Sequence, residues 1–216
     1  MTKILCIALN PAIDISSDAD VVRHTHKTRT FNQQQFPGGG GVNVARVISE
    51  LGGKCELMFL SGGATGQLLE TMLLALAIAT RAFPIHDPVR VAYAVHELST
   101  NMEYRFVPEG PLVSDAELEP VFEAVATSDA KYIVASGSLP RGVPDDCYVR
   151  LAELAAANGA RFVLDTSGPA LAAALARARM FLVKSSKPSS AGRSITTVSD
   201  RRRRTMCARD ARSISL

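Results

Sequence analysis

The chain has 216 residues and a formal net charge of +3; 47% of its residues are hydrophobic, 21% are charged, 15 are glycine and 11 are proline. At about 100–200 residues per domain this fits one globular domain with extras, and it excludes a wholly disordered or collagen-like chain. The charge is unevenly divided. Residues 1–183 hold 15 Lys and Arg against 19 Asp and Glu, a net of −4, whereas residues 184–216 hold 9 against 2, a net of +7. A mildly acidic body thus carries a basic tail.

Four cysteines (Cys6, Cys55, Cys147, Cys207), none close in sequence to another, do not make a disulfide framework or a zinc site and read as buried free thiols in a reducing compartment. The longest apolar run, Met72 to Ala79, is far short of the ~20 residues of a membrane span. The apolar stretch Ile4–Leu9 is cut by Asn10-Pro11 before a signal-peptide core is complete. A soluble, cytoplasmic protein with no membrane partner is expected.

Lys3–Leu9 reads as a buried strand stopped by Asn10-Pro11. Residues 15–36 are polar, with a β-leaning piece at Thr28–Phe31, and are expected outside the main core. Pro37 and four glycines then lead into Val42–Leu51, whose apolar residues recur at helical spacing up to Gly52-Gly53. Cys55–Leu60 is a second strand, Ser61–Gly66 a turn and Gln67–Ala79 a helix. Val89–Leu98 and Met102–Val107 form a hairpin around Ser99-Thr100-Asn101. Ser114-Asp115-Ala116-Glu117 is a capping box that starts a helix running toward Ala126.

Tyr132–Ala135 is a strand, Ser136–Pro144 a loop, and Pro144-Asp145-Asp146 the start of a helix that ends at Asn158-Gly159. Phe162–Leu164, Pro169–Ala178 and Met180–Val183 continue as strand, helix and strand. This alternation predicts an α/β fold with a mostly parallel sheet covered by helices on both faces. The polar segment and the hairpin, near 15–36 and 88–108, are expected to pair as a small accessory sheet placed as a lid. Residues 184–216, with eight serines and Arg201–Arg204, have no apolar periodicity and read as disordered.

The strongest chemical signal is Gly38-Gly39-Gly40-Gly41 running into a helix at Asn43, because glycines let the backbone approach a ligand and a helix N-terminus favours an anion or hydroxyls. It is neither a Walker A loop nor G-x-G-x-x-G. Asp14, just past the first strand, can accept sugar hydroxyls, although such a residue alone is more often a turn cap. Ser136-Gly137-Ser138 and Asp165-Thr166-Ser167-Gly168 follow other strands at the same edge, so three polar strand ends converge on one rim. Lys27, Arg29, Arg90 and Arg105 lie in or beside the lid, where cations can hold a phosphate; singly each reads as a solvated charge. His24, His26, His86 and His96 form no ligand set, and no metal site is read from the sequence.

Together, Asn10-Pro11-Ala12-Ile13-Asp14, PGGGGVNVAR at 37–46, GGATG at 62–66, Tyr104-Arg105-Phe106, SGSLPRG at 136–142 and DTSG at 165–168 resemble the ribokinase-like (PfkB) carbohydrate kinases, specifically their minor 6-phosphofructokinase branch. The resemblance covers residues 1–183. It implies a three-layer α/β/α sandwich with a small β-lid. It implies that Asp14, Gly39, Gly40 and Asn43 hold a sugar, that Lys27, Arg90 and Arg105 belong to the phosphorylated end of the substrate, and that Ser138 is a further contact. ATP with Mg2+ is the implied phosphoryl source, fructose 6-phosphate the implied substrate, and a homodimer through the lid the implied assembly. The 1-phosphofructokinase or tagatose-6-phosphate kinase branch is the alternative.

The family's base and anion hole come from a Gly-Ala-Gly-Asp turn, and these 216 residues contain none. Phosphoryl transfer depends on such positioning and charge neutralisation. Leu182-Val183-Lys184 still fits the segment near ATP and magnesium, but Ser185, Ser186 and Ser189 replace the expected proline, asparagine and glutamate. Lys184 is therefore the one nucleotide-side residue carried over, and no catalytic residue is assigned. The expectation is a sugar-kinase domain truncated or frameshifted near Lys184, with an unpaired sheet edge and without turnover on its own. A non-catalytic hexose-phosphate binder is the competing reading. Nucleic acid is not an expected partner, because Arg201–Arg204 would attract a backbone without reading it.

Overall fold

The apolar run after Lys3 forms β1 (Ile4–Ala8), which has no solvent face. Leu5, Ile7 and Leu9 enter one hydrophobic core and Cys6 and Ala8 enter another, none more than 1% exposed. Burial on both faces is why the run is continuously apolar rather than alternating. A computed structural model of the protein describes residues 3–76, 78–177, 182–185 and 196–198.

β1 pairs in parallel with β4 (Cys55–Ser61) on one side and β8 (Tyr132–Ser136) on the other. β5 (Ala79–Pro84) continues the sheet beyond β4, and β9 (Arg161–Thr166) and β10 (Leu182–Ser185) continue it beyond β8. β11 (Thr196–Val198) closes that end antiparallel to β10, giving the order β11-β10-β9-β8-β1-β4-β5.

Helices α1 (Gly40–Glu50) and α2 (Gly63–Leu74) cover one face through Val42, Ala45, Leu69 and Leu73. Helices α3 (Asp115–Ala126), α4 (Cys147–Ala157) and α5 (Gly168–Arg177) cover the other through residues such as Leu118, Tyr148 and Ala174. The result is the expected three-layer α/β/α sandwich. From β1 the chain goes first to β4 and β5, and later to β8 and β9 on the opposite side, so a crevice opens at the carboxyl ends of β1 and β8.

The expected accessory sheet is present as β2 (Ala12–Ala19), β3 (Phe31–Gly38), β6 (Arg90–Glu97) and β7 (Met102–Phe106), in the order β3-β2-β6-β7. Its tip is tied by Glu97, only 4% exposed. The carboxylate accepts the Val22 N–H at 2.8 Å, the Thr100 hydroxyl at 2.7 Å, the Tyr104 hydroxyl at 3.0 Å and the Ser99 hydroxyl at 3.3 Å. One side chain thereby binds the β2–β3 loop to the β6–β7 hairpin.

Four local expectations differ from the structure. Ala12–Ala19, expected mainly as a polar segment, is a full strand, because β3 and β6 pair with it on both sides and satisfy its backbone. β3 runs through Pro37 and Gly38 instead of stopping before the glycines; a proline is tolerated because β3 is an edge strand. α2 starts at Gly63 rather than Gln67, since Gly66 serves close packing and not a turn: a Cβ there would lie 2.5 Å from Ser61 Oγ. β5 was not expected, and of its six residues only Phe83 is buried, so it carries almost no apolar pattern.

At the expected unpaired edge, β11 covers β10. Two parts of the tail expected to be disordered are strand, Lys184 and Ser185 in β10 and Thr196–Val198 in β11, because pairing with a neighbour satisfies their backbone. Residues 186–195 and 199–216 lie outside the described residues, as does Cys207. Cys6 and Cys147 are buried free thiols and Cys55 is a half-buried one. Burial pushes the Cys147 thiol up to about 12. Among the described residues no helix is long and apolar enough to cross a membrane.

Four donors hold Glu97 ionised below the usual 4.5, the Thr100 hydroxyl first among them. Its contribution to stability is therefore present above that value and is lost as pH falls through the depressed one. Glu97→Gln is expected to lower Tm by several degrees at pH 7, with the difference from wild type vanishing in strong acid. Thermal unfolding followed across pH by circular dichroism checks this, as does faster proteolysis within residues 20–30.

Candidate functional site

The crevice is filled from below by the N-terminus of α1. Gly39 caps the helix at φ 105, a conformation that favours glycine. Its neighbours are small for another reason, the closeness of three different structures. A Cβ on Gly38 would lie 2.2 Å from Asp14 Oδ2, one on Gly40 2.3 Å from Ser136 Oγ, and one on Gly41 2.2 Å from the Ile7 carbonyl. The glycine run thus brings a helix N-terminus against the ends of β1 and β8 and against the lid at the same time.

Asp14 is the third residue of β2, so it reaches the crevice from a lid strand rather than from the end of β1. It is half-buried, and no described residue donates a hydrogen bond to its carboxylate or lies in ion-pair contact with it. Burial raises its carboxyl above the usual range, opposed by the charges of Arg90, Arg105 and Arg46. The carboxylate therefore stands partly desolvated in a positive field, free to accept hydroxyl donors.

Arg90 is half-buried at the start of β6. Its Nη1 donates to the Pro108 carbonyl at 2.9 Å and its Nη2 to the Asn10 carbonyl at 3.0 Å, while Nε is buried without a described partner. Burial lowers the Arg90 pKa and Asp14 opposes that shift. Arg105, on β7, is exposed and its Nε is paired with Glu103. Asp14, Gly39, Arg90, Arg105 and Glu103 share the lining of one cavity of about 320 Å³.

Of the expected residues, four (Asp14, Gly39, Arg90 and Arg105) are brought together in this cavity. Gly40 lies behind them against Ser136 and Gly137. Asn43 is exposed in the first turn of α1, its N–H donating to the Gly39 carbonyl at 2.9 Å. Ser138 is exposed on the opposite rim, where its hydroxyl accepts from Asn10 Nδ2 at 3.2 Å. Lys27 is exposed on the β2–β3 loop and does not line the cavity. Lys184 stands in β10, in register with Asp165 on β9.

Two of the three polar strand ends meet, those after β8 and β9, while Asp14 stands on β2. Ser136 Oγ donates to Asp165 Oδ2 at 3.1 Å, the Gly137 N–H donates to the Asp165 carbonyl, and the Gly137 carbonyl accepts from both Tyr148 and Thr166. Asp165 Oδ1 is buried with no described partner. Among the described residues no three His, Cys, Asp or Glu side chains gather to hold a metal ion.

Three contributors were missed from sequence. Asn10, 4% exposed, staples Glu109, Ser138 and Leu139 through its Nδ2. Arg46, three residues beyond Asn43 on α1, adds its charge near Asp14. Glu103 sits two residues before Arg105 on one strand, and that i, i+2 spacing was the available signal.

The family model described as pfkB family carbohydrate kinase matches residues 1–189, extending past Lys184. The chain belongs to this family. It is 41% identical over 171 residues to the ATP-dependent 6-phosphofructokinase isozyme 2 of Mycobacterium tuberculosis, covering 78% of this chain and 50% of that protein. It is 32% identical over 164 residues to the D-tagatose-1-phosphate kinase of Bacillus licheniformis, covering 76% of this chain and 53% of that protein. The fold superposes on phosphofructokinase-2 from Escherichia coli in complex with fructose-6-phosphate with a TM-score of 0.78 at 34% identity, covering 85% of this chain and 61% of that one. The chain thus spans about half the length of the curated relatives it matches.

Because burial raises the Asp14 carboxyl, its ionisation costs stability that is lost as pH rises from 3.8 to the raised value and stays lost, at a constant level, above it. Asp14→Asn removes that cost. The variant is expected to unfold at a higher temperature than wild type at pH 7 and to show no such gain near pH 3. Thermal melts at the two pH values check the sign.

Proposed function

We propose that this chain carries the sugar-phosphate half of an ATP-dependent hexose-phosphate kinase of the 6-phosphofructokinase type, with fructose 6-phosphate as its ligand. The observation that carries the reading is the Asp14 carboxylate, free of described partners and facing a cavity that it shares with Arg90 and Arg105. A carboxylate accepts sugar hydroxyls, and guanidinium groups suit the phosphate of the same molecule. The likeness to a phosphofructokinase-2 crystallised with fructose-6-phosphate supports this choice of sugar. Gly40, Asn43 and Ser138 are assigned to the same ligand by the motifs they occupy, and Lys27 by the lid position that it matches.

ATP and Mg2+ belong to the same proposal. The described residues fit a cation in one respect: Asp165 Oδ1 is a buried acceptor without a described partner, so Asp165 is the residue that would hold Mg2+, with Lys184 beside it in register. The ion would supply charge neutralisation for the phosphates. With no Gly-Ala-Gly-Asp turn among the 216 residues, the chain on its own is proposed to bind the sugar phosphate without turning ATP over. The lid exposes Phe36, Tyr93, Met102 and Phe106, which supports a homodimer formed through it.

Isothermal titration of the purified chain with fructose 6-phosphate tests the reading. Binding is expected in the wild type, at least about tenfold weaker in Asp14→Asn and in Arg105→Ala, consistent with losing a charge-assisted contact. ADP release is expected to stay at background. A folded wild-type chain that ignores fructose 6-phosphate would overturn the proposal; tighter binding of fructose 1-phosphate or a tagatose phosphate would move it to the sister branch.

A further inference from the structure

Residues 103 and 105 of β7 project to the same side of the lid sheet, as alternate residues of a strand do. Both line the cavity that holds Asp14 and Arg90. Glu103 also lines a second, polar cleft of about 400 Å³ farther out on the lid, with Ser16, Asp18, Asn32 and His96. Ser16 and Ala94 line both spaces as well, so Glu103 stands on their common wall.

The charges in the inner cavity balance. Arg90 and Arg105 oppose Asp14 and Glu103, and a phosphate ester would bring roughly 1.5 to 2 further negative charges at pH 7. The two arginines are not equally available. Arg90 has both terminal nitrogens bound to main-chain carbonyls, which cannot move without the loops that carry them. Arg105 is held by the Glu103 carboxylate, a side chain that can rotate away into the outer cleft.

We propose that Glu103 is a specificity-determining residue that occupies Arg105 until a phosphate ester displaces it. The exchange favours a dianion, which replaces one carboxylate with a group of higher charge. A monoanion gains little by the same exchange, and a neutral sugar gains nothing. Discrimination thus comes from an internal competitor as well as from direct attraction. The inference rests on the sugar-phosphate reading above and adds what decides entry to that site.

The test is a double-mutant cycle by isothermal titration with fructose 6-phosphate at fixed low salt, on wild type, Glu103→Gln, Arg105→Ala and the double variant, each verified as folded by circular dichroism. Glu103→Gln is expected to bind about two- to five-fold tighter than wild type, the range for releasing an exposed ion pair. It is also expected to close part of the gap between fructose 6-phosphate and gluconate, a monoanionic sugar acid. In the Arg105→Ala background the same substitution is expected to change affinity hardly at all.

Unchanged or weaker binding by Glu103→Gln, with wild type still binding, overturns the inference and leaves the sugar-phosphate reading standing. An equal gain in the Arg105→Ala background overturns it too, since that is a general charge effect. If folded wild type and variant both fail to bind, the reading and the inference fall together. Glu103→Ala serves in place of Glu103→Gln if the latter does not fold.

Discussion

The close approach of the α1 N-terminus to three separate surfaces is the constraint on which the site depends. Within four residues the chain must clear the Asp14 carboxylate, the Ser136 hydroxyl and the Ile7 carbonyl, each at a distance that leaves no space for a Cβ. Glycine is costly in conformational entropy, and a run of four would be a weakness in an ordinary connector. Here it locks the sheet, the first helix and the lid to one another. A side chain at Gly38 would displace Asp14 on the lid strand, and one at Gly40 or Gly41 would push α1 away from β8 or β1.

Around that contact the protein keeps an electrostatic arrangement that costs stability. Asp14 is half-buried and lacks a described partner, a costly state for a carboxylate, made tolerable by three arginines from α1, β6 and β7. Arg90 carries a similar burden, offset by two main-chain acceptors and by the Asp14 charge. Glu97 is the opposite case, a buried carboxylate satisfied by four donors that makes the lid tip rigid. One lid thus holds a saturated carboxylate at its tip and an unsaturated one in the cavity.

Much of the fold was legible because its signals are local. The capping box at Ser114 and Glu117 is present, and the doubly buried strands read as continuous apolar runs. What escaped were elements whose existence depends on a neighbour. β5 is a mostly exposed edge strand held by pairing with β4, and β2 is polar on its cleft side because Asp14 and Ser16 face a cavity. Gly66 looks like a turn residue in the sequence and is helical in the structure, because it packs on Ser61, whereas Gly63 opens α2 with a left-handed φ of 64.

The site divides in the same way. Sequence by itself determined the family, the polar strand ends and the residue types a sugar phosphate would need, since the motifs lie in short contiguous stretches such as PGGGGVNVAR. It did not determine which of those residues meet. Tertiary structure decided that Asp14, Gly39, Arg90 and Arg105 share one cavity, and that Ser138 and Lys27 lie outside its lining. It also decided that Arg90 is tied to main-chain carbonyls while Arg105 is held by Glu103. The reason is that these contacts join residues far apart in the chain, across two sheets whose relative placement is set by packing at the glycine run and leaves no trace in local periodicity.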